Sequence, residues 1–263
     1  MPSWPKYFML LVFSTTFVCA AEGSEQPPLP TELAVIEGIT MTDADEAYVS
    51  GSLQHSKFSD QRVWTLGLDA AYGLTDRLRL SAGLPYLRVE PNGGSSASGI
   101  GDVDASLRYA AIDYRHKPFG LDVGLGLVAP SGDESQGLGE GTTRVEPSLT
   151  AAGWLGPVNL QLHLAWAHAV DGSGEEPRDA YEYNFAVLRP VGKGFLVLEG
   201  NGETAGGQTS YYVTPELVWN ASEHVEWRVA APIGVTEAAG DYGVIVGCTI
   251  ELEHLFHRGG AGN

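Results

Sequence analysis

Between Val158 and His168 the chain reads V-N-L-Q-L-H-L-A-W-A-H. Val158, Leu160, Leu162, Leu164 and Trp166 share one parity, while Asn159, Gln161, His163, Ala165 and Ala167 share the other. Successive side chains of a strand point to opposite faces, so this stretch predicts a strand with one apolar face and one polar or small face. Its length of about eleven residues suits a tilted strand that crosses a bilayer.

The same alternation predicts about eleven more strands. Six precede it, near Tyr48–Ser56, Val63–Tyr72, Arg77–Tyr86, Asp102–Ala111, Leu121–Ala129 and Thr143–Trp154. Five follow, near Tyr181–Val187, Leu196–Asn201, Tyr211–Trp219, Val225–Val229 and Tyr242–Leu252. Between them, tight turns near residues 73, 115, 156, 192 and 222 alternate with mostly longer loops rich in Gly, Ser and acidic residues. Gly73-Leu74-Thr75-Asp76 reads as a turn by composition and Pro91–Gly101 as a mobile loop. An even strand number with alternating short and long connections predicts an all-β fold: a transmembrane antiparallel β-barrel of about 12 strands, outer-membrane type, with its turns on the periplasmic side.

Alternation alone leaves two orientations open, an apolar interior as in a soluble ligand-binding barrel or an apolar exterior facing lipid. Three observations favour lipid. Aromatics on the apolar parity cluster near strand ends (Trp64, Tyr72, Tyr86, Tyr109, Trp166, Tyr181, Tyr211, Trp219 and Tyr242), as in interfacial girdles. The polar parity mixes Gly, Ala and Ser with charges of both signs, which suits a water-lined lumen. Twelve strands lined inside by Leu would also enclose a void, since about eight already give an interior that side chains can fill.

Composition narrows the picture further. The 263 residues carry a net charge of −18, which argues against a nucleic-acid partner, because neutralising phosphates needs clustered Lys and Arg. Met1–Ala20 reads as a cleaved secretory signal peptide, with Lys6 before an apolar run from Phe8 to Val18. Residues 21–47 are acidic and Pro-rich and read as a linker or plug, with one short apolar run, Leu33-Ala34-Val35-Ile36. The barrel then spans 48–256, and 257–263 form a C-terminal tail. Cleavage leaves Cys248 as a lone thiol, which excludes an intramolecular disulfide and reads as packing.

Several local motifs look familiar. Y-G-L-T-D-R-L-R-L-S-A-G-L-P-Y (Tyr72–Tyr86), G-I-G-D-V (Gly99–Val103), L-V-A-P-S-G-D (Leu127–Asp133), T-P-E-L-V-W (Thr214–Trp219) and A-P-I-G-V (Ala231–Val235) occur in order. As a set they resemble the outer-membrane transporter family named after the meta-pathway of phenol degradation. The resemblance implies a channel in the outer membrane of a Gram-negative cell that passes small organic compounds, hydrophobic or aromatic ones included. One departure is visible: such barrels usually end on a terminal aromatic, whereas Phe256 is followed by His257–Asn263.

The strand faces assign Asp69, Arg79, Asp104, Arg108, Asp122, Arg144, Glu146, His163, Glu182, Glu199, Glu216, Glu226, Arg228 and Glu251 to the lumen. Two readings stay open: a carboxylate-rich pore that favours cations or neutral solutes, or Arg–carboxylate pairs that brace the wall. Glu199 and Glu216, with few Arg neighbours in sequence, stand out as candidate free carboxylates for selectivity. Catalysis is not expected. A Ser148–His163 pair can be drawn, but no nucleophile motif surrounds Ser148. The acidic loop Ser131–Glu140 lacks calcium-loop spacing, so neither a metal nor another cofactor is expected. The expected partners are outer-membrane lipids, the barrel-assembly machinery and a small-molecule solute. The alternatives are a non-conducting structural or adhesive barrel and a soluble periplasmic ligand-binding barrel.

Overall fold

The computed structural model describes residues 28–39, 43–171 and 177–252. The stretch read as a signal peptide (1–20), Phe256 and the residues read as a C-terminal tail lie outside the described residues. Among the described residues the alternating pattern forms fourteen strands. The first seven are β1 (Ala47–Lys57), β2 (Gln61–Thr75), β3 (Leu78–Pro91), β4 (Ala97–Ile100), β5 (Val103–Ile112), β6 (Phe119–Ala129) and β7 (Arg144–Leu155). The second seven are β8 (Val158–Ala169), β9 (Asp179–Val191), β10 (Gly194–Ala205), β11 (Gln208–Ser222), β12 (Val225–Ala230), β13 (Ile233–Gly234) and β14 (Tyr242–Leu252). Each pairs antiparallel with its neighbours. β4 and β5 both pair with β3, and β12 and β13 both lie between β11 and β14.

The wall therefore has twelve staves, two of them interrupted. It closes where β1 pairs with β14, from Ala47↔Leu252 to Lys57↔Tyr242. Closure leaves no open sheet edge, which is the condition for strands to satisfy their backbone inside hydrocarbon. At about 3.3 Å per residue and a tilt of roughly 40°, the twelve residues of β8 rise about 30 Å, enough for one crossing.

Two local expectations change. β2 continues through a bulge between Gly73 and Thr75, so the turn falls after Thr75 rather than at residues 73–76. The stretch Pro91–Gly101 is not all loop, because Ala97–Val89 to Ile100–Tyr86 pairing extends the sheet beyond the Gly/Ser run. The turn near residue 115 is a six-residue connection with one 3-10 turn, Tyr114–His116, whereas those near 156, 192 and 222 have two residues. Gly156 and Gly192 take φ of 59° and 60° there, a conformation in which a side chain would be strained.

The faces follow the predicted parity. On β8, Leu162 and Leu164 are 43% and 41% exposed on the outside, whereas His163 between them is 1% exposed. At one end of the barrel the outer surface carries Tyr72, Tyr109, Trp219 and Trp227, the two tryptophans stacked at 6.3 Å. At the other it carries Trp64, Tyr86, Trp166, Tyr181 and Tyr242. A Leu- and Val-rich belt lies between these rings, as a lipid-facing wall requires. The first end holds the turns at 76–77, 156–157, 192–193 and 223–224 and is called the turn end below; the opposite one, which holds the longer connections together with the short ones at 58–60 and 206–207, is the loop end.

The chain's buried apolar cluster lies inside the barrel. Leu33 and Ile36, ahead of the first strand, pack against inward-facing Ala186, Leu188, Phe195, Val197 and Val218, with Leu29 and Trp154 beside them.

Candidate functional site

Residues 28–39 make an excursion through the lumen. Pro28–Thr31 lie at the turn end beside Ser222–Glu226 and Glu251. Val35 reaches toward the loop end, where it shares a cavity with Gln54, Tyr212 and Tyr242. Ile39 is back at the turn end, in the cavity that Tyr114 and Arg115 line. Asp45 N–H then bonds the Gly73 carbonyl and leads into β1. The segment is thus a loop that enters and leaves by one mouth.

Its backbone does not pair with a strand, so its polar groups need partners from the wall. Side chains of opposite staves supply them. From β10, Glu199 accepts the N–H of Ile36 at 2.8 Å and of Ala34 at 3.2 Å. From β12, Glu226 accepts Thr31 N–H at 3.2 Å to each oxygen. From β8, Gln161 accepts Ile39 N–H at 2.9 Å. Across the lumen on β5, Arg108 donates to the Gly38 carbonyl at 3.0 Å and to Thr150 Oγ1 at 2.7 Å. Carboxylates therefore hold amide N–H groups on one wall, and a guanidinium holds a carbonyl on the other.

Ion pairs tie the segment's own acids down. Arg228 contacts Glu32 at 2.6 Å, and Ser50 donates to the other oxygen of Glu32 at 2.7 Å. Arg108 lies 3.8 Å from both Glu37 and Asp122. Leu33 and Ile36, 7% and 2% exposed, each contribute about 1.5–3 kcal/mol by leaving water.

All fourteen residues assigned to the lumen lie on the inward parity. Asp69, Arg79, Asp104 and Arg108 line one cavity with residues 31–38. Arg79 also sits 6.0 Å over the Tyr48 ring. Glu146, His163 and Glu182 lie together on β7, β8 and β9. Arg144 pairs with Glu140 at the loop end, and Glu251 stands at the turn-end mouth. Glu216 is buried one stave from Glu199. The two open readings thus apply to different residues. The arginines are largely engaged, while Asp69, Asp104, Glu146 and Glu182 form no ion pair among the described residues.

One expectation is corrected, and the Ser148–His163 pair that could be drawn is not formed. Glu199 is not a free carboxylate, because two amides of the segment and Asn201 Nδ2 at 3.0 Å occupy it. His163 does not meet Ser148: the register sets Ser148 against Ala165 and His163 against Thr150, whose Oγ1 lies 2.9 Å from His163 Nδ1. Sequence reasoning passed over Thr150 and Gln161, whose only signal was polar character on the inward parity.

A closed twelve-stave barrel, apolar and aromatic-ringed outside and charged inside, defines a transmembrane β-barrel of porin type. The chain belongs to the family described as "Putative MetA-pathway of phenol degradation", whose sequence model matches residues 59–248. Among solved structures it is similar to an outer membrane channel from Pseudomonas putida F1. That match has 17% identity and a TM-score of 0.64, covering 84% of this chain and 100% of the other. It is also similar to the NanC porin, at 11% identity and a TM-score of 0.56, with 78% and 100% of the two chains covered. The KdgM porin aligns at 11% identity and a TM-score of 0.53, with 77% and 98% covered. No curated protein matches the sequence.

Proposed function

We propose that this protein is an outer-membrane channel for small organic solutes, hydrophobic and aromatic ones among them, with its lumen occupied by residues 28–39. In this reading the turn end faces the periplasm and the loop end faces outside. The observation that carries it is the distribution of empty space. Cavities of about 320 Å³ at the turn end, 260 and 250 Å³ in the middle and 180 Å³ near the loop end succeed one another through the barrel. Residues of the segment border every one of them. A purely structural barrel would be expected to fill its interior with wall side chains. Here one chain segment stands between spaces that its displacement would join.

The lining supports the solute class. Leu33 and Ile36 border the same cavity as Asp69, Arg79 and Asp104, and displacing the segment would also uncover Phe195 and Val197, so an aromatic ring with a polar substituent would meet both apolar and charged groups. The test is conductance in planar bilayers, for the full mature chain and for a chain lacking residues 28–39. The expected result is low or intermittent conductance in the first and a larger, steadier one in the second. If the shortened chain folds and inserts yet passes no current, the protein is not a channel.

A further inference from the structure

The cavity of about 250 Å³ in the middle of the lumen has an unusual lining. Its charged and titratable members are Glu37, Asp104, Glu146, His163 and Glu182, and no Lys or Arg lines it. Glu37 lies 3.8 Å from Arg108, but Asp104, Glu146 and Glu182 form no ion pair among the described residues, and three such carboxylates around one small space favour a cation. Within this group, Glu146, His163 and Glu182 come from three adjacent staves and offer one ligand atom each, all within 4.8 Å of one another.

We propose that Glu146, His163 and Glu182 form a lumenal binding site for a divalent transition-metal ion of the zinc class. This does not rest on the channel reading.

His163 is 1% exposed and fixed by its neighbours. Its Nδ1 lies 2.9 Å from Thr150 Oγ1, which also accepts from Arg108 Nη2 at 2.7 Å. The Thr150 hydroxyl has one proton, and the Glu37 carbonyl stands 3.4 Å away to take it. The arrangement that satisfies all three contacts puts the imidazole proton on Nδ1, donating to Thr150. Nε2 then keeps its lone pair. A histidine oriented by a hydrogen bond through one nitrogen, with the other free, is the usual outer-shell arrangement of a metal ligand.

Donor type and geometry agree. One imidazole nitrogen and two carboxylate oxygens suit zinc and its first-row neighbours better than magnesium, which prefers oxygen alone. Bonds of about 2.1 Å in a tetrahedron place ligand atoms about 3.4 Å apart. The present spacing needs to close by about 1.4 Å at most, within the reach of rotations about the two Glu side chains while the imidazole stays still. Three protein ligands leave a fourth position facing the cavity, beside Glu37 and Asp104, for water or a solute.

The experiment uses the untagged mature chain, folded in detergent micelles, stripped of metal with a chelator and titrated calorimetrically with Zn²⁺ alone, then with Mg²⁺. One equivalent of Zn²⁺ should bind at least about a hundredfold more tightly than Mg²⁺. Glu146→Gln, His163→Gln and Glu182→Gln should each weaken Zn²⁺ binding by about tenfold or more. Glu223→Gln, at a turn-end connection, should leave it unchanged. Heat-modifiable migration on gels reports folding, and if His163→Gln does not fold, the two Glu variants decide. Absence of stoichiometric Zn²⁺ binding overturns the site, as does wild-type affinity in the folded Glu variants.

Discussion

Glu199→Gln isolates the contact that fixes the segment most directly. The wild-type carboxylate spends both oxygens on the segment, one on Ala34 N–H and one on Ile36 N–H. A glutamine keeps one acceptor and turns an amide NH₂ toward the other N–H, so one hydrogen bond is lost and a buried donor is left facing a donor. Bonds to a charged acceptor contribute about 1.5–3 kcal/mol, and an unsatisfied buried donor costs about 1–3 kcal/mol. The docked state should therefore lose about 2–4 kcal/mol, roughly thirty-fold to nearly a thousand-fold in the docked-to-released ratio. Against this stand Leu33 and Ile36, which together contribute about 3–6 kcal/mol of burial. The variant should remain docked most of the time but sample the released state far more often. In single-channel records its open probability should rise, and protease added at the turn end should cut residues 28–39 sooner. Unchanged open probability together with unchanged protection would refute the idea that Glu199 holds the segment.

Further expectations follow from the wall itself. Leu162→Arg puts a charge on the outer face near mid-strand, so its yield of folded barrel in vesicles should fall, consistent with a cost of about 2–4 kcal/mol. Gln161→Arg, one residue away but inward, should insert normally and instead expose the segment to protease, because Gln161 Oε1 holds Ile39 N–H; equal insertion defects in the two would mean the faces are misassigned. Trp219→Ala with Trp227→Ala removes the stacked pair at the turn end and should destabilise the barrel in detergent by less than the sum of the two single changes, the shortfall being a coupling of about 0.5–1.5 kcal/mol. Outside the membrane, Asp171 accepts the Thr143 N–H and hydroxyl at 2.6 and 2.8 Å, and these bonds hold its carboxyl below the usual range. Its contribution to loop order is present above the ordinary carboxylate range and is lost as pH falls through the depressed value, so acid should increase clipping between residues 130 and 143, and Asp171→Asn should do so at neutral pH.

Much of the fold was legible because one face of each strand meets lipid and the other meets water, which writes a period of two into the chain. Stave number, face assignment and the aromatic rings all follow from that period. What was hidden is non-periodic. Leu33-Ala34-Val35-Ile36 is too short to choose between a strand, a plug and a docking segment, and its partners lie far away along the chain, as in the Glu199–Ile36 contact. Glu199 looked free because neighbours in sequence were the only ones visible. The same limit applied to His163: its inward parity was readable, but the register that opposes it to Thr150 rather than Ser148 depends on where each turn closes. Bulges, such as the one at Gly73–Thr75, move turns without leaving a clear mark in composition.

The path of residues 28–39 has a topological consequence. Both limbs of the excursion pass through the turn-end mouth, and its second limb is tethered to the first stave at Ala47. Among the described residues no chain end lies inside the lumen, so none has to be threaded through the mouth for the segment to leave or return. Withdrawal is the sliding of a bight, like a slip knot drawn from the side of its standing end, and it leaves the seam between first and last staves intact. The barrel can therefore close first and receive its segment afterwards, and release need not be a step toward unfolding.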